Sequence, residues 1–278
     1  MKNLLTTLFI CLFAVAFGQN SLLWKIEGNG LEKPSYLFGT VHMICKDEFK
    51  MPEKLQKVIS ETDQAYLEID MANPNFMSEM QANIFSDKKI SEQISKKDAE
   101  YISDLLTLKF GVGLETFDQM KPMMVLSMLM QSSFPCPITS FEGEIINQYA
   151  IKGTPIGGLS TVAEQYGYLD RFVNVNELVT TVKSLESEEF ATIFKSFADL
   201  YKAEDINGLD DIMVQYTGAT PEMYDVLMVE RNKIWSNKIP ALIANQSTLI
   251  AVGSGHLAGE KGLISLLRAK GYQVNPIF

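Results

Sequence analysis

The chain has 278 residues, 46% of them hydrophobic, and a formal net charge of −10 at pH 7. That length and apolar content suit one large α/β domain, or such a domain with a helical insertion. The acidic balance speaks against nucleic acid as a partner, because phosphate binding needs basic patches.

Residues 1–18 read as a signal peptide. Lys2 supplies the positive start, residues 4–17 are apolar but short for a membrane span, and Ala16-Phe17-Gly18 places small residues at the cleavage-defining positions before Gln19. No later segment is long and apolar enough to span a membrane. Residues 19–278 are therefore expected to form a single exported domain, periplasmic or secreted.

Within it, residues 22–27 and 35–38 are the arms of a hairpin around Gly28-Asn29-Gly30. Pro52 opens a helix with Leu55, Val58 and Ile59 on one face. Residues 65–70 form a third strand whose end carries Glu68 and Asp70, two residues apart and so on one face. From about 74 to 148 the pattern is helical. Ser95-Lys96-Lys97-Asp98 starts one helix that stops near Gly111, and the methionines at 120, 123, 124, 128 and 130 read as deformable core. Residues 142–152 form a helix, 154–159 a short strand, and 176–217 more helix. A further helix starts at Pro221, carries Glu230-Arg231-Asn232, and is expected to break at Pro240. Residues 249–252 then form a strand, 263–270 a helix ending at Gly271, and the chain closes with a strand near Pro276. The fold class is α/β: a mixed central sheet built from both termini, flanked by helices, with a largely helical middle.

Only two histidines occur, His42 and His256, and each closes a Gly-x-x-His tetrapeptide after an apolar run. Apolar strands ending in glycine deliver their next residues to a sheet rim, where α/β proteins build sites. Histidine is the commonest metal ligand. Two imidazoles with Glu68 can hold a divalent ion, with Asp70 as ligand or orienting partner, and ligand type alone does not choose among Mn, Co, Fe and Zn. Gly39 and Gly253 let the backbone turn where a Cβ would clash. Cys45 and Cys136 remain after cleavage; a disulfide, a buried thiol, or a third ligand at Cys45 are all open. Gly253-Ser254-Gly255 lacks the rest of a phosphate loop, and Ser254 lacks a nucleophile elbow.

Gly39-Thr40-Val41-His42, Leu67-Glu68-Ile69-Asp70, Glu230-Arg231-Asn232 and Gly253-Ser254-Gly255-His256-Leu257, with Gly262–Leu267 and Gly271–Val274, resemble the TraB/GumN family, which includes the TIKI metalloproteases. The resemblance implies an active centre of His42, Glu68 and His256, with Arg231 stabilising an anion or pairing with the glutamate. It favours Mn or Co as the metal, with Zn or Fe as alternatives. One position departs: relatives carry Gly-Leu-Glu-Thr where this chain has Gly158-Leu159-Ser160-Thr161, although Gln165 is kept. The expected function is an exported metal-dependent hydrolase of peptide or protein substrates. The alternative is a non-catalytic metal-, haem- or peptide-binding envelope protein on the same scaffold.

Overall fold

The computed structural model describes residues 20–171, 173–185, 187–217 and 221–278; the signal-peptide reading of 1–18 lies outside the described residues. The expected mixed α/β architecture is present. Six strands make the central sheet: β1 (Leu23–Glu27), β2 (Ser35–Thr40), β4 (Gln64–Ile69), β6 (Ile156–Ser160), β7 (Thr248–Gly253) and β8 (Gln273–Pro276). Their order is β6-β4-β7-β2-β1-β8. A separate two-stranded ribbon pairs β3 (Ile44–Cys45) with β5 (Ile138–Thr139).

The β1–β2 hairpin and the β1–β8 pair are antiparallel, whereas β2, β7, β4 and β6 run parallel. Parallel strands are covered on both faces, so they read as unbroken apolar runs. Leu249, Ile250, Ala251 and Val252 of β7 are completely buried. The topology decides where the site lies. The last parallel strand, β7, inserts between β2 and β4, with Thr40 opposite Gly253 and Leu67 opposite Ala251. The residues that follow β2 and β7 therefore leave the sheet at the same rim as the end of β4.

Two hydrophobic clusters support this frame. The larger packs the sheet against Tyr149, Trp235, Ile239, Ile243 and Leu263. The smaller is helical and contains Ile102, Leu106, Val125, Leu129 and Val182, with Met120, Met123 and Met130 packed against it. Three of the five methionines thus pack, partly buried, against the core. Pro240 does not end its helix, which runs Arg231–Ile243 with the proline inside. A proline there removes one helical hydrogen bond, a cost of about 3 kcal/mol. Burial of Ile239 and Ile243 on either side of it offsets that loss. Among the described residues no helix is long and apolar enough to cross a membrane.

Cys45 and Cys136 form a disulfide with Cα atoms 5.6 Å apart, which removes Cys45 as a ligand. The bond links the segment after His42 to the segment before the helix Phe141–Lys152.

Candidate functional site

Glu68 is the centre of the site. It lies near the end of β4 and is only 5% exposed. Its Oε1 accepts the Gly253 N–H at 2.8 Å, while His256 Nε2 and His42 Nε2 stand 3.7 and 3.9 Å from the same oxygen. Its Oε2 accepts from Arg231 Nη2 and, at 3.0 Å, from Gln165 Nε2. Burial alone would raise the Glu68 pKa, but Arg231, both histidines and the Gly253 amide outweigh it and hold the carboxyl well below the usual carboxylate range.

Arg231 reaches Glu68 from the first turn of its helix, directly after a wide π-helical turn, Asp225–Glu230. Such turns recur at functional sites because they rotate the side chains that follow. Its Nη1 donates to Leu227 O at 3.0 Å and its Nη2 to Gln165 Oε1 at 3.1 Å. The guanidinium lies 4.5 Å from the Trp235 ring centroid. Of the two roles considered for Arg231, the structure shows the pairing with glutamate.

His256 is 3% exposed. Its Nδ1 is 2.7 Å from Asn232 Oδ1, and Asn232 Nδ2 donates to Lys261 O at 3.0 Å. With the amide oriented in this way, Nδ1 carries the proton and Nε2 keeps its lone pair toward Glu68. Burial, reinforced by Arg231, pushes the His256 pKa down to about 3, so the ring is neutral.

His42 is different. Its Nδ1 lies 2.8 Å from Glu142 Oε1, and its side chain is 61% exposed at the mouth of the site. Burial opposes its charge, but the Glu142 hydrogen bond and charge, with Glu68 behind them, lift it to about 9. The openness of the side chain weakens the burial contribution, so the upward direction stands.

Gly253 links these groups. A Cβ on it would lie 3.2 Å from Glu68 Oε1, 3.5 Å from His42 Nε2 and 3.7 Å from His256 Cδ2. The missing methyl therefore leaves a gap that the two imidazoles and the carboxylate surround. Gly39 serves packing instead: a Cβ there would come within 2.7 Å of Leu257 Cδ1 and 3.1 Å of Ser254 Cα.

Asp70 stands apart from this cluster, and Ser160 reaches it only through Trp235. β4 ends at Ile69, so the alternation that would place Asp70 beside Glu68 stops there. The Asp70 carboxylate accepts the Ala72 N–H at 3.1 Å and lines a neighbouring cleft with Ser160, Glu164 and Lys238. Ser160 Oγ accepts from Trp235 Nε1 at 2.9 Å. The Trp235 ring in turn packs 4.7 Å from the His256 ring, so Ser160 braces the histidine from behind. Glu142, Asn232, Gln165 and Trp235 were assigned no role from the sequence.

The fold and this rim define an α/β domain with a His–Glu–His–Arg centre at the carboxyl ends of its parallel strands. Residues 22–276 match the model of the TraB/PrgY/gumN family, and the chain belongs to that family. It is 21% identical to the uncharacterized protein YbaP of Escherichia coli (strain K12), across 84% of this chain and 87% of YbaP. It is 20% identical to metalloprotease TIKI2 of Xenopus tropicalis, across 92% of this chain and 59% of that protein, and to TIKI2 of Danio rerio, across 92% and 61%. No solved structure matches the chain.

Proposed function

We propose that the chain is an exported metal-dependent hydrolase that cleaves peptide bonds. The observation that carries this reading is the gap over Gly253, bordered by His42 Nε2, Glu68 Oε1 and the His256 ring. The donor types suit a divalent transition ion, and both imidazoles have their outer nitrogens occupied, as metal-binding histidines do. Two ligands on one ion at about 2.1 Å stand about 3.0–3.4 Å apart. The observed 3.7 and 3.9 Å are slightly wider. Accordingly, no three His, Cys, Asp or Glu side chains among the described residues form a ready-made metal cluster. The difference of a few tenths of an ångström lies within small side-chain rotations. The family resemblance favours Mn or Co, with Zn or Fe as alternatives.

A divalent ion at an open site acidifies water and polarises carbonyl groups. The chain's own residues divide the remaining work. Gly253 N–H and Arg231 fix the two oxygens of Glu68 separately, so Oε1 faces the gap while Oε2 is neutralised. A carboxylate held ionised in this way suits the role of a charge-bearing ligand. The TIKI2 relatives are named metalloproteases, which supports peptide or protein as substrate. The disulfide supports an oxidising compartment, in keeping with a signal peptide at residues 1–18.

Ser160 favours a second reading, a metal- or peptide-binding protein without turnover, because the family resemblance implies a glutamate at this position and here the hydroxyl accepts from Trp235. Digestion of a peptide mixture with Mn²⁺ or Co²⁺, read by mass spectrometry, separates the two. Hydrolysis that a chelator stops and His256→Gln abolishes supports the hydrolase. Metal binding without cleavage supports the second reading.

A further inference from the structure

We propose that Glu142 is the positioning residue of this centre, the group that turns His42 Nε2 inward. The inference rests on the metal-site reading, and nothing in the family motifs quoted above includes this residue.

Glu142 sits in the first turn of the helix Phe141–Lys152, where an ionised carboxylate is favoured by the helix dipole. Ser140 caps that helix by accepting the Gly143 N–H at 3.0 Å. The carboxylate is 6% exposed. Its Oε1 accepts from Thr40 Oγ1 and from His42 Nδ1, while Oε2 is buried with no hydrogen-bond partner. Burying a carboxylate is costly unless it is paired. Its side-chain hydrogen bonds to other residues go to Thr40, the last residue of β2, and to His42 two positions further on, so the carboxylate is aimed at the segment that carries the histidine.

The geometry at His42 completes the case. With 61% of the side chain open, little packing holds the ring, and Glu68 Oε1 stands 3.9 Å from its Nε2. An imidazole whose Nδ1–H is committed to a carboxylate has its tautomer and ring plane set, and its Nε2 keeps a free lone pair for a ligand. Asn232 does the same for His256. The two histidines thus have matched outer partners supplied by unrelated elements.

The fold anchors Glu142 to this task. The Cys45–Cys136 disulfide, the β3–β5 pairing and the Lys46 N–H to Pro137 O bond of 2.8 Å tie the segment after His42 to the segment before Glu142. Phe141 packs against Phe38, Phe49 and Tyr201 at centroid separations of 5.6, 4.8 and 5.6 Å, which locks the start of the helix.

The test compares wild type with Glu142→Gln and Glu142→Leu, each checked for an unchanged fold by melting. Co²⁺ alone is titrated into tag-free protein. Loss of about tenfold in the glutamine variant and about 100-fold in the leucine variant is expected, the range for outer partners of ligating histidines. Affinity within twofold of wild type in Glu142→Leu, which has no acceptor for the Nδ1–H, overturns the proposal. A second readout needs no metal. With only two histidines, ¹⁵N ring spectra resolve His42 directly, at a pH high enough to leave the ring neutral. Wild type should carry the proton on Nδ1, and Glu142→Leu should move it to Nε2. An unmoved tautomer overturns the proposal. Wild type that binds no Co²⁺ but shows this tautomer change refutes the metal reading while leaving the positioning role supported.

Discussion

Gly253 and Glu68 meet twice: the glycine N–H donates to Oε1 at 2.8 Å, and a Cβ on the same residue would come within 3.2 Å of that oxygen. The backbone thus holds the carboxylate while the absent side chain keeps the space beside it open. Gly253→Ala should therefore weaken Co²⁺ binding at least tenfold, since Glu68 is pinned by Arg231 and cannot yield. Stability should fall by about 1–2 kcal/mol, a few degrees in melting temperature. Affinity equal to wild type would show that the gap is not where the ion sits.

Arg231 and Glu68 form a buried pair, each side chain 7% exposed. Removing one partner leaves an uncompensated buried charge, which costs about 3–5 kcal/mol. Arg231→Leu should show that loss in urea unfolding. Adding Glu68→Gln should recover a large part of it, and a double-mutant cycle with no coupling would contradict the pairing.

His42 and His256 make opposite predictions for pH. His42, raised to about 9, carries a proton through the neutral range, so an ion must displace it. Affinity for Co²⁺ should rise about tenfold per unit between about pH 6 and 8 and flatten near 9. His256, lowered to about 3, is already neutral and adds no slope there. In Glu142→Gln the flattening should move toward the ordinary histidine value of about 6.5. A pH-independent affinity would contradict this assignment of protons.

The disulfide closes a separation of 91 residues. Chain-entropy arguments put its contribution at roughly 4–5 kcal/mol, and measured cases fall at about 2–4. Cys45→Ser with Cys136→Ser should lower stability by that order. It should also loosen His42 against Glu142, so Co²⁺ affinity should fall further than Tm alone explains when compared at equal folded fraction.

Much of this was legible in the sequence because it is local. The hairpin, the apolar parallel strands and the two Gly-x-x-His turns each declare themselves within about eight residues, and Glu68 stands out as a carboxylate in an apolar strand. What was not legible is long-range. Glu142 looks like any acid in a first helical turn, and its contact with His42 crosses 100 positions. Asn232 follows Arg231 in a recognised motif, yet its role depends on a histidine 24 positions away. Asp70 was misplaced because strand periodicity was carried one residue past the end of β4. Pro240 was misread because local propensity yields to the burial of its neighbours.

The central claim is that His42, Glu68 and His256 share one metal ion. Calorimetric titration of tag-free protein with Mn²⁺ and Co²⁺, beside the His42→Gln/His256→Gln double variant, tests it most directly. The account predicts one ion per wild-type chain at micromolar affinity or better and no binding by the variant. Wild type that binds neither ion, or a variant that binds as wild type does, would contradict it.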